Sequence, residues 1–349
     1  MPGELAPHAL SGADLQPSLM LHVADRTLEV DSRYAARLLA MPDDSSLAVH
    51  HDGSFSARWD QSRNLKWLTA ATISYGQSAF VFDPGEHRPF DSLEYVTPLI
   101  RDQVAAEGSV GVTYAASRGV TAIANVGYAA NGGTSAQSQQ LIPLQRGPQL
   151  YAALVHEVSA IDQFTTDLYA SQTTSSEGRT SFVVKGAGGW ARQLAVATRA
   201  SAAVGASLEG RSGAAGNALF PVAAAQLQHD VEARGSRVEI RATAQLGPHY
   251  SLTTADLQQR AEVAASARWI VREDLSIRLR AAAARELGNS AQAGNLFIGA
   301  IDLSLRLGAN ASLRCGFEAV RQRVAPDVLA PTAPWFAFAA FTATARNLL

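Results

Sequence analysis

Cysteine is almost missing from this chain, and a disulfide framework is excluded with it: Cys315 stands alone, so no intramolecular bridge exists. Its alternation with Leu313 and Phe317 sets it on an apolar face, where a thiol is an inert small hydrophobe. An excess of one charge is missing too. Lys and Arg number 29 against 31 Asp and Glu, a net charge of -2, which argues against nucleic acid as a partner. Although 47% of residues are hydrophobic, no uninterrupted apolar run approaches the roughly 18 residues of a membrane helix. Residence in a membrane would therefore have to be by strands. The sequence also has no Gly-x-Ser-x-Gly elbow, no Walker loop and no Cys-x-x-Cys. Met1 to Gln16 offer neither a basic n-region nor an apolar h-region, so the numbered chain reads as a processed or truncated form if the protein is secreted.

What the chain has in abundance is a period of two, clearest from Arg237 to Arg323. Val238, Ile240, Ala242, Ala244 and Leu246 alternate with Glu239, Arg241, Thr243 and Gln245, giving one apolar and one polar face. Leu275, Ile277 and Leu279 alternate with Ser276, Arg278 and Arg280, and Leu303, Leu305 and Leu307 follow suit with Asp302, Ser304 and Arg306. A competing helical reading exists at Leu257, Ala261, Ala265 and Trp269, spaced four apart, and in the helix-forming alanines 281 to 284. Recurrence decides against it. Gly299, Gly308 and Gly316 sit inside the pattern, and a helix would spread the alternate charges around its circumference.

Strands of about a dozen residues exceed the usual five or six of a soluble sheet and suffice to cross an apolar layer when tilted. The pattern predicts strands from residue 18 to 346, among them 106 to 117, 193 to 208 and 256 to 270. Short turns fall at 60 to 63, Arg118, 159 to 162, Arg192, 232 to 235, 271 to 273 and Ala309. Long loops fall at 77 to 105, 131 to 147, 174 to 179, 209 to 218, 248 to 255, 287 to 294 and 324 to 333. Strict alternation of short and long connections is what a transmembrane up-and-down β-barrel requires, with turns on the periplasmic side and loops outside. Parity asks for an even number of strands. Sixteen to eighteen fit, and eighteen is preferred if residues 4 to 11 add a first strand; otherwise 1 to 17 is an irregular segment ahead of a barrel over 18 to 349.

The aromatic and charged residues can be sorted on this frame. Trp59, Trp67, Trp190 and Trp269 lie within a few residues of a short turn, as a periplasmic aromatic girdle would, while Trp335, Phe297 and Tyr128 lie near long loops. The polar face of residues 236 to 323 holds Arg241, Arg260, Arg268, Arg278, Arg280, Arg306 and Arg314 against Glu239, Glu262, Asp302 and Glu318, three positive charges in excess. Facing a lumen, these residues would either solvate it or guide an anionic solute. His50 and Asp52 share one face and read as a solvated lumen pair rather than a metal or acid/base site. His156 and Glu157 point to opposite faces. No catalytic residue, metal site or cofactor is indicated, and the chain reads as a non-enzyme.

The hairpins ending in Trp335-Phe336-Ala337-Phe338-Ala339-Ala340-Phe341-Thr342 resemble bacterial outer-membrane β-barrels, over most of the chain from about residue 18. Size and hairpin style, with a long loop before Arg101-Asp102-Gln103-Val104, are similar to the integral barrels associated with exopolysaccharide secretion in Gram-negative bacteria. The chain departs from the common pattern in ending Arg346-Asn347-Leu348-Leu349 rather than on an aromatic residue. The resemblance implies an outer-membrane conduit for surface polysaccharide export, with outer-membrane lipid, the barrel-assembly machinery and a periplasmic polysaccharide-export protein as partners. A porin-like passive channel for small anionic solutes is the alternative, and a non-conducting structural or adhesive barrel the third.

Overall fold

A computed structural model of the protein describes residues 13–15, 17–40, 47–78, 101–211, 217–233, 235–250, 257–287, 295–308, 311–323 and 335–343. The chain forms β1 (Ala13–Leu15), β2 (Ser18–Ala24), β3 (Leu28–Ala40), β4 (Leu47–Asp60), β5 (Leu65–Ser78), β6 (Arg101–Ser117), β7 (Val120–Gly133), α1 (Ala136–Leu141), β8 (Gln145–Glu157) and β9 (Asp162–Ser175). It continues with β10 (Thr180–Ala195), β11 (Thr198–Arg211), β12 (Ala218–Ala233), β13 (Ser236–Tyr250), β14 (Leu257–Arg272), β15 (Leu275–Leu287), β16 (Asn295–Arg306), β17 (Ala311–Arg323) and β18 (Trp335–Ala343). From β2 to β18 every strand pairs antiparallel with the next in the chain. The result is an all-β, antiparallel, up-and-down barrel sheet, in which β1 and β2 share one edge of β3 and β2 to β18 follow one another in chain order among the described residues.

The period of two becomes the two faces of this sheet. Across β13 to β17 the register sets Ile240 beside Ala267, Ala267 beside Leu279, Leu279 beside Ile301 and Ile301 beside Phe317. This row is the outward face, and Leu279, Phe297, Ile301 and Phe317 are exposed on it. A soluble protein would bury such a band; here it fits a lipid-facing surface. Leu257 to Trp269, the stretch that also suited a helix, is strand β14.

Several sequence expectations shift. The segment 4 to 11 lies outside the described residues; β1 pairs with Leu38 to Ala40 of β3 in the same register by which β2 pairs with Glu29 to Ala35, so β1 continues β2 along one edge of β3 and adds no further strand position. Strand β6 begins at Arg101 rather than 106, its extra residues pairing with Ser74 to Ser78. Arg192 is no turn. It lies within β10 opposite Ala200 and Asp162, and the turn falls at 196–197, where Gln193 Nε2 donates to the carbonyls of Ala195 (2.6 Å) and Val196 (3.2 Å). The loop between β7 and β8 contains α1, whose N-cap Ser135 accepts from the Ser138 amide at 3.2 Å. The short turns are closed by similar local bonds: Ser62 Oγ accepts from the amides of Asn64 and Leu65, and Ser159 Oγ from those of Ile161 and Asp162.

Most strands run 12 to 17 residues, more than the roughly 9–11 that cross a bilayer. The surplus gathers at the long-loop ends. There the buried residues collect: Val183 of β10, Ser207 and Glu209 of β11, Val222 of β12, Leu257, Gln259, Arg260 and Glu262 of β14, Glu286 of β15 and Leu296 of β16.

Candidate functional site in the barrel lumen

All eleven charged residues expected on the inner wall fall on one face. Register sets Glu239 opposite Arg268, Arg268 opposite Arg278, Arg278 opposite Asp302, and Arg280 opposite Ser266 on one side and Ala300 on the other. Arg241 lies opposite Ser266, Arg260 opposite Glu286, Glu262 opposite Gln245, Ala300 opposite Glu318, and Arg306 opposite Ser312. Arg314, opposite Ser304, completes the set. Two arginines directly across a strand pair repel in isolation. Arg268 and Arg278 therefore depend on water or nearby carboxylates to offset their charge.

The wall divides by how each guanidinium is satisfied. Arg260 is 2% exposed, ion-paired to Glu262 at 2.8 Å, and donates from Nη1 to His249 Nε2 at 2.7 Å. Gln245 donates to Glu262, and Gln259 and Ser207 donate to Glu209, extending this network over the barrel end. Burial on this scale makes Arg260 a structural ion pair rather than a charge offered to a solute. Lower in the wall, Asp302 is shared by Arg280 and Arg314, each 3.3 Å away, with Glu318 at 3.9 Å from Arg280. Glu239 is held by Arg237 at 3.2 Å. Among the described residues, no carboxylate is paired with Arg241, Arg268 or Arg306.

Trp59, Trp67, Trp190 and Trp269 occupy the outward face at the short-turn end. Trp59 stands directly opposite Trp67, and Trp190 opposite Phe164. Each of the two polar tips seen here reaches toward the turns: Trp67 Nε1 donates to Gln61 Oε1 (2.8 Å), and Trp190 Nε1 to Asp162 Oδ1 (3.0 Å). Rings on the apolar band with their N–H at the wet edge are arranged as interfacial anchors. Trp269 is also outward and exposed, whereas the side chain of Trp335 lies outside the described residues.

His50 and Asp52 lie on one face with His50 Nε2 3.4 Å from Asp52 Oδ1, as the alternation expected, while His51 makes a separate contact on the other face. His50 Nε2 meets Ser74 Oγ at 2.6 Å, Ser74 Oγ donates to Asp52 Oδ1 at 2.7 Å, and His50 Nδ1 has no partner. A nucleophilic triad needs the carboxylate on the far imidazole nitrogen. Here it holds the serine proton instead, so Ser74 is not activated. His51 points outward and bonds Tyr34 Oη at 2.7 Å. One trio among the described residues, His22, Glu29 and Asp31, has ligand atoms close enough for a metal. All three are exposed, and His22 Nδ1 is committed to Asp31 at 2.6 Å.

No protein-family profile and no curated protein sequence matches the chain. Solved structures do. The copper transporter OprC superposes with a TM-score of 0.53 at 9% identity, over 96% of this chain and 67% of that one. The FrpB iron transporter from Neisseria meningitidis gives 0.54 at 8% identity, over 96% and 65%. The chain thus spans about two thirds of the length of these transporters. At such low identity the likeness defines the fold, which is that of the outer-membrane β-barrels.

Proposed function

We propose that this protein is an outer-membrane conduit that passes small anionic solutes. The reading rests on the inner wall of β13 to β17, where Arg241, Arg268 and Arg306 have no carboxylate paired with them among the described residues while the acidic groups are committed to other arginines. A wet wall with surplus fixed positive charge raises the local concentration of anions and lowers their cost of entry. A barrel of sixteen to eighteen strands is wide enough to leave an aqueous lumen. Its lipid-facing band and tryptophan girdle support residence in the outer membrane. Export of a surface polysaccharide, the cargo implied by the sequence resemblance, gains no support from the matched structures.

The test is a reversal potential across a planar bilayer holding the reconstituted protein in a salt gradient. Wild type should prefer chloride over potassium. The triple variant R241Q/R268Q/R306Q should lose most of that preference while inserting equally well, since lumen substitutions tune selectivity more than they destabilise. A wild-type barrel that is cation-selective or non-conducting would refute the reading.

A further inference from the structure

A second charged group lies on the inner face at β9 and β10, across a cavity from the Arg260–Glu262 pair of the arginine wall. Lys185, midway along β10, is directly opposite Tyr169 of β9, and Ala187, two residues on, is opposite Asp167. Lysine is scarce here: Lys66 and Lys185 are the two in the chain. A wall otherwise written in arginine forks thus carries one compact, freely rotating ammonium at its mid-height.

Lys185 and Asp167 are diagonal neighbours across one strand pair, within reach of each other's long side chains. They do not pair. The ammonium lies over the Tyr169 ring, 5.9 Å from its centroid, and among the described residues neither charge enters an ion pair. Both line a cavity of about 410 Å³ whose opposite side is formed by Arg260, Glu262 and His249. Those groups satisfy one another, at 2.8 Å for Arg260–Glu262 and 2.7 Å for Arg260–His249. Ala187, Ala203 and Ala224 keep the floor low. What the cavity offers is one cation, one anion and an aromatic face.

We propose that this cavity is a binding subsite for a free amino acid. Its carboxylate would meet Lys185, its ammonium Asp167, and its side chain the Tyr169 ring. A simple anion drawn to Lys185 meets the Asp167 carboxylate beside it, and a simple cation meets the reverse, so the pair of charges selects a solute that carries both. The inference rests on the inner face being open to solutes, and not on the anion preference of the arginine wall.

Calorimetric titration of the full chain, refolded in detergent, tests this without requiring conduction. L-Glutamine is the probe, with acetate and ethylammonium as single-charge controls. Glutamine should bind about tenfold or more tightly than either control, and K185Q and D167N should each weaken it by about tenfold or more. K66Q, at the other lysine, should leave it unchanged. Acetate binding as well as glutamine, the absence of glutamine binding, or binding indifferent to both variants would overturn the subsite. If a variant fails to refold, the wild-type ranking of the three probes still decides. A barrel that conducts anions but does not bind glutamine would sink this inference and leave the conduit standing.

Discussion

Among the inward arginines, the energetic difference between Arg260 and Arg241 is larger than their identical side chains suggest. Arg260 is buried against Glu262 and His249, so R260Q would strand Glu262 uncompensated in a dry site at a cost of about 3–5 kcal/mol. The denaturant midpoint of the refolded barrel should fall accordingly, and the double variant R260Q/E262Q should recover much of the loss. R241Q, at an exposed position, should stay within about 0.5 kcal/mol of wild type. Alternation in the sequence set both residues on one face but could not separate them. The burial of Arg260 depends on where the ends of β13 and β14 lie relative to β11, whose Glu209 accepts from Gln259 of β14, fifty residues away. Lys185 and Asp167 escaped the sequence reading for a related reason: each is an ordinary polar residue in its own strand, and only the β9–β10 register sets them side by side.

Strands were legible wherever side chains alternate, and their ends were not wherever the turn lacks a breaker. The turn at 196–197 is Val-Ala, without Gly, Pro, Asn or Asp, and is closed by the Gln193 side chain rather than by backbone preference; hence the misplaced turn at Arg192. Helix α1, Ala-Gln-Ser-Gln-Gln-Leu, is too short and polar to show a stripe. Packing between strands sets a sharper constraint at Gly205. A Cβ there would overlap the Gly186 carbonyl oxygen and lie 2.7 Å from Ala187 Cα, whereas one at Gly188 would meet nothing within 4 Å. G205A should therefore lower stability by about 1–3 kcal/mol, and G188A should leave the unfolding midpoint unchanged. The connections make a further prediction about sidedness. In a Cys315→Ser background, a cysteine at Glu177, in the loop after β9, should react with an impermeant thiol reagent on whole cells, and one at Arg118, in the turn after β6, should not. The opposite labelling would invert the topology.

For the whole molecule, a lipid-facing apolar band and a ladder of successive strands predict resistance to opening. Unboiled protein should migrate differently from boiled protein on a denaturing gel, with a β-type circular dichroism spectrum; identical mobilities would contradict a closed barrel. Sequential pairing has a consequence for assembly as well. Each hairpin closes over a few residues, whereas joining the last strand to the first closes a loop of roughly 300, which costs about 4 kcal/mol more in chain entropy. Hairpins can thus zip locally and in any order, leaving one slow, entropically expensive event for the end. The same arithmetic governs inheritance. Because every strand from β4 to β17 finds its partners in its chain neighbours, a gene segment encoding one hairpin can be duplicated or lost without re-pairing the others. Barrel girth in such a lineage can change in steps of two strands while the chemistry written on each surviving wall is carried over intact.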